Sequence, residues 1–187
     1  LKTAAAASDA GTPWVLDPVA HHATAFRRDA VQRLLALRPA VIRGNASEII
    51  ALAGGQSASK GVDARDPVQL AEQAARDLAR AQQTVVAVTG EVDFVTDGTR
   101  EVRVTGGSPL MPQVTATGCA LTAVVGAFVA VSKQDTYTAA VAALSCFGIA
   151  GRRAGALADG PGSFAWRFLD ALAALETDSL TRESPLC

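Results

Sequence analysis

Cysteine is scarce in this chain and badly placed for cross-linking. Cys119, Cys146 and Cys187 are odd in number and show no CxxC spacing, which argues against a disulfide scaffold or zinc site and for a reducing, cytoplasmic setting. An excess of either charge is also missing. The 17 Lys and Arg and 18 Asp and Glu are interspersed to a net charge of -1, leaving no basic stripe for nucleic acid and no acidic tail. The familiar phosphate-binding signatures are absent. No GxGxxG occurs, and Gly54 to Lys60 fails as a P-loop because Lys60 is followed by Gly61, not by Ser or Thr. Any nucleotide must be held another way. Apolar runs are too short for a bilayer: Val104 to Ser132 is uncharged, but Gly106, Gly107, Pro109 and Pro112 leave too little helix to span it. Thr136 to Gly151 is uncharged too, and its small residues suit close packing inside a protein. Leu1 to Ala10 carries charges and lacks the apolar core of a secretory signal.

What is present fits one α/β domain. Apolar residues make up 49% of 187, enough for a substantial core. Leu1 to Ala10 reads as the end of a helix whose beginning is missing, and Gly11-Thr12-Pro13 turns it into a buried strand, Trp14 to Asp17, stopped by Pro18. Phe26 to Leu37 has helical spacing, and Ala40 to Arg43 is the next strand. Asn45 to Leu52 is a short helix, Gln56 to Arg65 a polar loop, and Pro67 to Ala81 an amphipathic helix. Thr84 to Thr89 is the clearest core strand. Asp93 to Thr96 and Glu101 to Thr105 flank Asp97-Gly98, a hairpin signal. Two uncharged helices follow, then a last helix with Phe164, Phe168, Leu169, Leu172 and Leu175 on its apolar face. Asp178 to Cys187 is expected to fray. The order predicts a layered α/β domain with a largely parallel sheet.

In such a sheet, ligands gather beyond the carboxyl ends of the strands. Those ends are Asp17, Arg43-Gly44-Asn45 with Glu48 one turn on, and Thr89-Gly90-Glu91. The stretch Gln113 to Ala130 joins them. Small and polar at first, uncharged and, Thr122 apart, apolar after Cys119, it reads as a loop turning into a buried helix, with Thr117 as N-cap and Gly118-Cys119 in the first turn. Carboxylates, a guanidinium and a helix N-terminus on one rim suit Mg²⁺ and a polyphosphate. Each piece has a plainer explanation. Asn45 to Glu48 matches a capping box, and Asp17 before Pro18 could open a turn. Arg43 could be a surface ion pair, and Cys119 a buried thiol in a core helix. Adjacent histidines such as His21-His22 usually face solvent, so they are left out of the site.

Five segments together are recognisable: Pro13 to Ala20, Ile42 to Ile49, Val88 to Glu91, Thr117 to Leu121 and Gly160 to Phe164. In this order and spacing the chain, from Leu1 to about Leu175, resembles hydroxyethylthiazole kinase, of the ribokinase-like fold. The resemblance implies a three-layer domain and Mg²⁺-dependent transfer of phosphate from ATP to 4-methyl-5-(2-hydroxyethyl)thiazole in thiamine synthesis. It implies Arg43 and Thr89 on ATP, Asp17 and Glu48 organising Mg²⁺, and an anion hole from Thr117, Gly118 and Cys119. It puts Cys119 where ribokinase relatives carry the aspartate base, and Ala116, at the substrate, where many members have glycine. It also implies a homotrimer with sites between subunits, and an N-terminal part absent here, so that residues 1–187 are expected to be one truncated domain, inactive or poorly folded alone. Two rival readings are a hydroxymethylpyrimidine phosphate kinase, which Asn-x-x-Glu with Thr-Gly-Cys fits less well, and a non-catalytic nucleotide-binding module.

Overall fold

The computed structural model describes residues 1–55 and 68–187; the P-loop-like run and the polar loop, from Gln56 onward, lie outside them. The helices are α1 (Lys2–Asp9), α2 (Ala25–Leu35), α3 (Ala46–Leu52), α4 (Val68–Gln82), α5 (Thr117–Val131), α6 (Thr136–Gly155), α7 (Pro161–Ala173) and α8 (Thr177–Arg182). The strands are β1 (Val15–Leu16), β2 (Val41–Asn45), β3 (Val85–Thr89), β4 (Asp93–Thr96) and β5 (Glu101–Val104), and they form one sheet in chain order. β1, β2 and β3 run parallel, while β4 and β5 return as an antiparallel hairpin. Helical crossovers oblige the first three strands to run the same way, so their carboxyl ends share one edge.

Strand alternation sorts the core into two layers. Val41, Val85 and Ala87 pack with Val95 against α5, α6 and α7. Ile42, Val86, Val88 and Phe94 face the opposite way, onto α2, α3 and α4. β3 is buried at every position, which is why its sequence is a continuous apolar run without polar alternation. The expected three-layer α/β architecture with a largely parallel sheet is the one observed.

Three expectations are corrected. α5 is not buried all round: Leu121, Val125 and Val129 face the core, while Ala120, Ala123, Ala127, Ala130 and Val131 are exposed. α5 lies over β1, the edge of the sheet, and among the described residues no element covers its outer side. α6, with residues such as Leu144, Phe147 and Ile149 buried along its length, is the central helix. In α7, Phe164 and Phe168 point inward but Leu169 is turned out. The tail does not fray. After α8, Leu186 bridges Val104, and the main chains of Cys187 and Arg103 exchange two hydrogen bonds of 3.0 and 3.1 Å. The unpaired edge of β5 supplies those partners, and Glu183 adds ion pairs to Arg152 and Arg153.

Candidate functional site

Parallel pairing sets Asn45 beside Thr89 and carries Arg43 into the middle of the strand-end rim. From there the guanidinium reaches both neighbouring strands. Its Nη1 donates to Asp17 Oδ2 at 3.3 Å and its Nη2 to Thr89 Oγ1 at 2.8 Å. Arg43 and Asp17 keep 12% and 15% of their side-chain surface exposed, so the pair is partly shielded from water yet open at the rim. Thr89 Oγ1 accepts from Arg43 and donates its own hydrogen bond to Gly44 O at 3.3 Å. The plain surface ion pair considered for Arg43 is therefore replaced by a fork with two engaged nitrogens.

The N-terminus of α5 closes over this fork. A Cβ placed on Gly118 would stand 3.0 Å from Arg43 Nη1, and Thr122 Oγ1 donates to Asp17 Oδ2 at 2.8 Å. Cys119 lies between these two residues in the sequence, in the first turn of α5, and is exposed. The first intrahelical bond runs from Ala120 N–H to Ala116 O, so the N–H groups of Thr117, Gly118 and Cys119 precede the ladder and carry the positive end of the helix dipole. Thr117 is not the cap. It is the first helical residue, its hydroxyl donating to Val114 O at 2.8 Å, and Ala116 precedes it with φ 67° and ψ 9°. The incoming chain must reverse sharply to aim the helix at Arg43, and that demands a left-handed residue that side-chain capping cannot supply. A β-carbon there costs about 1 kcal/mol, so Ala116→Gly is expected to raise the melting temperature by about 2–4 °C in a calorimetric scan.

Glu48 sits behind the rim, 4% exposed. Its Oε2 accepts from Asn45 N at 2.9 Å, and Asn45 Oδ1 accepts from Glu48 N at 3.0 Å, the capping box foreseen for α3. Its Oε1 takes the Ala20 N–H at 2.8 Å. That second bond anchors the turn after Asp17, where Val19 and Ala20 hold φ of 26° and 50°, a conformation L-residues adopt only under such restraint. The same turn corrects the histidines. His21 is buried at 2% exposure, and burial above all, helped by His22 and Arg28, pushes its pKa down to about 4. Burial thus favours its neutral form.

Two participants had no strong sequence signal. Thr122 was visible as the lone hydroxyl in an apolar run, but its partner lies 105 residues away in sequence. Asp93 read as the start of a hairpin strand. Its Oδ1 accepts from Gly90 N at 2.9 Å, and burial raises its pKa to about 6 against the pull of that N–H and of Arg43. The rim thus gathers carboxylates around one guanidinium under a helix N-terminus, which can hold an anion and the cation that accompanies it.

Known proteins resemble this one in sequence and in fold. The description of the hydroxyethylthiazole kinase family matches residues 1–178. The hydroxyethylthiazole kinase of Rhizobium leguminosarum bv. trifolii is 68% identical over 177 residues, covering 95% of this chain and 66% of that protein. That of Gemmatimonas aurantiaca is 62% identical, covering 94% and 62%. The solved structure of a hydroxyethylthiazole kinase protein from Pyrococcus horikoshii OT3 superposes with a TM-score of 0.83 at 36% identity, covering 96% of this chain and 66% of that one. The chain thus spans slightly under two thirds of the length of the first of these relatives.

Proposed function

The chain belongs to the hydroxyethylthiazole kinase family, and we propose on that footing that it moves the γ-phosphoryl group of ATP onto the primary alcohol of 4-methyl-5-(2-hydroxyethyl)thiazole, a step of thiamine synthesis or salvage. The observation that carries this reading is the Arg43 fork, held between Asp17 and Thr89 directly beneath Gly118 of α5. Phosphoryl transfer asks a protein chiefly for positioning and charge stabilisation. Arg43 and Thr89 would bind the ATP phosphates, and the N–H groups of Thr117, Gly118 and Cys119 would receive the oxygens of the group in flight. Ala116, at the entry to that turn, would border the thiazole alcohol.

The donors suit Mg²⁺. Among the described residues no three His, Cys, Asp or Glu side chains form a metal cluster, and Mg²⁺ is commonly held by one or two carboxylates together with substrate phosphates. Asp17 Oδ1, engaged by the Val19 N–H at a long 3.4 Å, retains lone pairs for it. Glu48, both oxygens on backbone N–H groups, would organise the ion from behind by fixing the turn that carries Asp17. When bound, the ion supplies charge neutralisation to the polyphosphate.

The alcohol oxygen attacks the γ-phosphorus, the bond to the β,γ-bridging oxygen breaks with its electron pair leaving on ADP, and the alcohol proton passes to the Cys119 thiolate. The homotrimer, with sites between subunits, and the cytoplasmic setting belong to the same proposal; the alanine face of α5, exposed among the described residues, supports association.

Thiazole-dependent release of ADP, with the phosphorylated alcohol identified by mass, tests the whole reading. ATP binding without turnover would favour the non-catalytic module. In the same assay Cys119→Asp should keep substantial activity and Cys119→Ala should lose about tenfold or more. If both match the parent, the proton goes elsewhere.

A further inference from the structure

Thr122 stands four residues after Gly118 on α5 and makes the shortest contact that Asp17 has among the described residues, 2.8 Å against 3.3 Å from Arg43 and 3.4 Å from Val19 N. A threonine inside a helix ordinarily turns its hydroxyl back to the carbonyl four residues before it. Gly118 O is at hand for that, at 3.3 Å, but the shorter bond goes to the carboxylate, as expected when the acceptor is ionised. The contact joins two parts of the rim that come from opposite halves of the chain. Asp17 directly follows the edge strand β1, whereas Thr122 belongs to the helix whose first turn faces Arg43.

We propose that Thr122 is a positioning residue: its hydroxyl fixes the Asp17 carboxylate to α5, so that the cation-holding and anion-holding halves of the site keep one register. The inference rests on the reading of Asp17 given above. Two groups compete for Asp17 Oδ2, the Thr122 hydroxyl and the Arg43 guanidinium. With the hydroxyl in place the carboxylate stays 3.3 Å from Nη1 in a single contact. Without it the carboxylate is free to rotate and close on the fork bidentately, the geometry such a pair prefers. Asp17 and Arg43 would then neutralise each other and offer less to the metal–nucleotide complex.

Thr122→Val removes the hydroxyl and keeps the branched shape; Thr122→Ser keeps the hydroxyl. Thr122→Val is expected to need about tenfold more Mg²⁺ for half-maximal turnover and to lose about tenfold in kcat, with Thr122→Ser within about threefold of the parent. The second readout needs no catalysis. ADP should raise the melting temperature of the parent in EDTA and raise it further when Mg²⁺ is added. In Thr122→Val the EDTA shift should persist and the Mg²⁺ increment should largely vanish. A full increment in Thr122→Val, or a loss in Thr122→Ser as large as in Thr122→Val, would overturn the proposal. If Thr122→Val does not fold, Thr122→Ser and Thr122→Ala are compared in its place by the same criterion. A parent with no Mg²⁺ increment at all would overturn the metal reading of Asp17, and the role of Thr122 with it.

Discussion

Replacing Arg43 by methionine is expected to lower kcat/KM for ATP about a thousandfold, the scale on which a phosphate-facing arginine acts, and to reduce stability as well. Methionine fills much of the stem's volume, so the loss isolates the guanidinium. Removing it takes the counter-charge from Asp17 and leaves that carboxylate with the Thr122 hydroxyl and the distant Val19 N–H. Breaking a fully buried pair costs about 3–5 kcal/mol. With both partners above a tenth exposed, about 2 kcal/mol is the better expectation. One term runs the other way. Arg43 Nε is buried without a partner among the described residues, and deleting an unsatisfied donor returns about 1 kcal/mol. The net penalty is small enough for the variant to remain folded, so the kinetic loss is the dominant effect. Arg43→Lys refines the test. One ammonium keeps the charge but cannot serve Asp17 and Thr89 with two fixed nitrogens, so it should recover roughly a tenth to a hundredth of parental kcat/KM. A lysine variant equal to the parent would mean that the fork is not used.

The parts of this site that were legible in the sequence are those specified by local chemistry. Thr84 to Thr89 could be read as a core strand because a short apolar run between polar ends has few other fates. Asn45 and Glu48 could be read as a capping box because the donor and acceptor lie three residues apart. The carboxyl ends of the parallel strands then gathered Asp17, Arg43 and Thr89 on one rim, where the structure also brings them. The missing parts depend on encounters between distant segments. A uniformly apolar α5 gives no periodicity from which to choose its inner face, so its outward alanines read as core. Thr117 looked like a cap because hydroxyl residues usually are one; what displaced it was the reversal at Ala116, imposed by where the helix must point. His21 is buried by elements from elsewhere in the chain, and adjacent histidines carry no signal of that. The tail pairs with β5 although Asp178 to Cys187 lacks strand patterning, because an edge strand accepts a backbone irrespective of side chains.

Gly118→Ala should separate activity from stability more sharply than any other substitution here. The glycine is helical, not left-handed, and alanine in a first turn gains up to about 1 kcal/mol in helix propensity. Against this, the new methyl would stand 3.0 Å from Arg43 Nη1, 3.3 Å from Nη2 and 3.6 Å from Cζ. A guanidinium is the far end of a flexible side chain and can yield by a few tenths of an ångström, so the two effects nearly cancel. The melting temperature is expected to stay within about 2 °C of the parent. Turnover has no such compensation. The methyl would press on the guanidinium at the N-terminus of α5, where a transferred phosphate would have to meet both, and losing one such donor typically costs a hundredfold to a thousandfold. A fall in kcat/KM of about a hundredfold or more is therefore expected, measured beside a thermal melt of the same preparation. The cause can be separated from a general disturbance of the turn. If the methyl acts by pushing Arg43 aside, then Gly118→Ala on top of Arg43→Met should add little, since the group it displaces is already gone. Fully multiplicative losses in the double variant would instead place the damage in the helix N-terminus alone, and the contact between Gly118 and Arg43 would be incidental to catalysis.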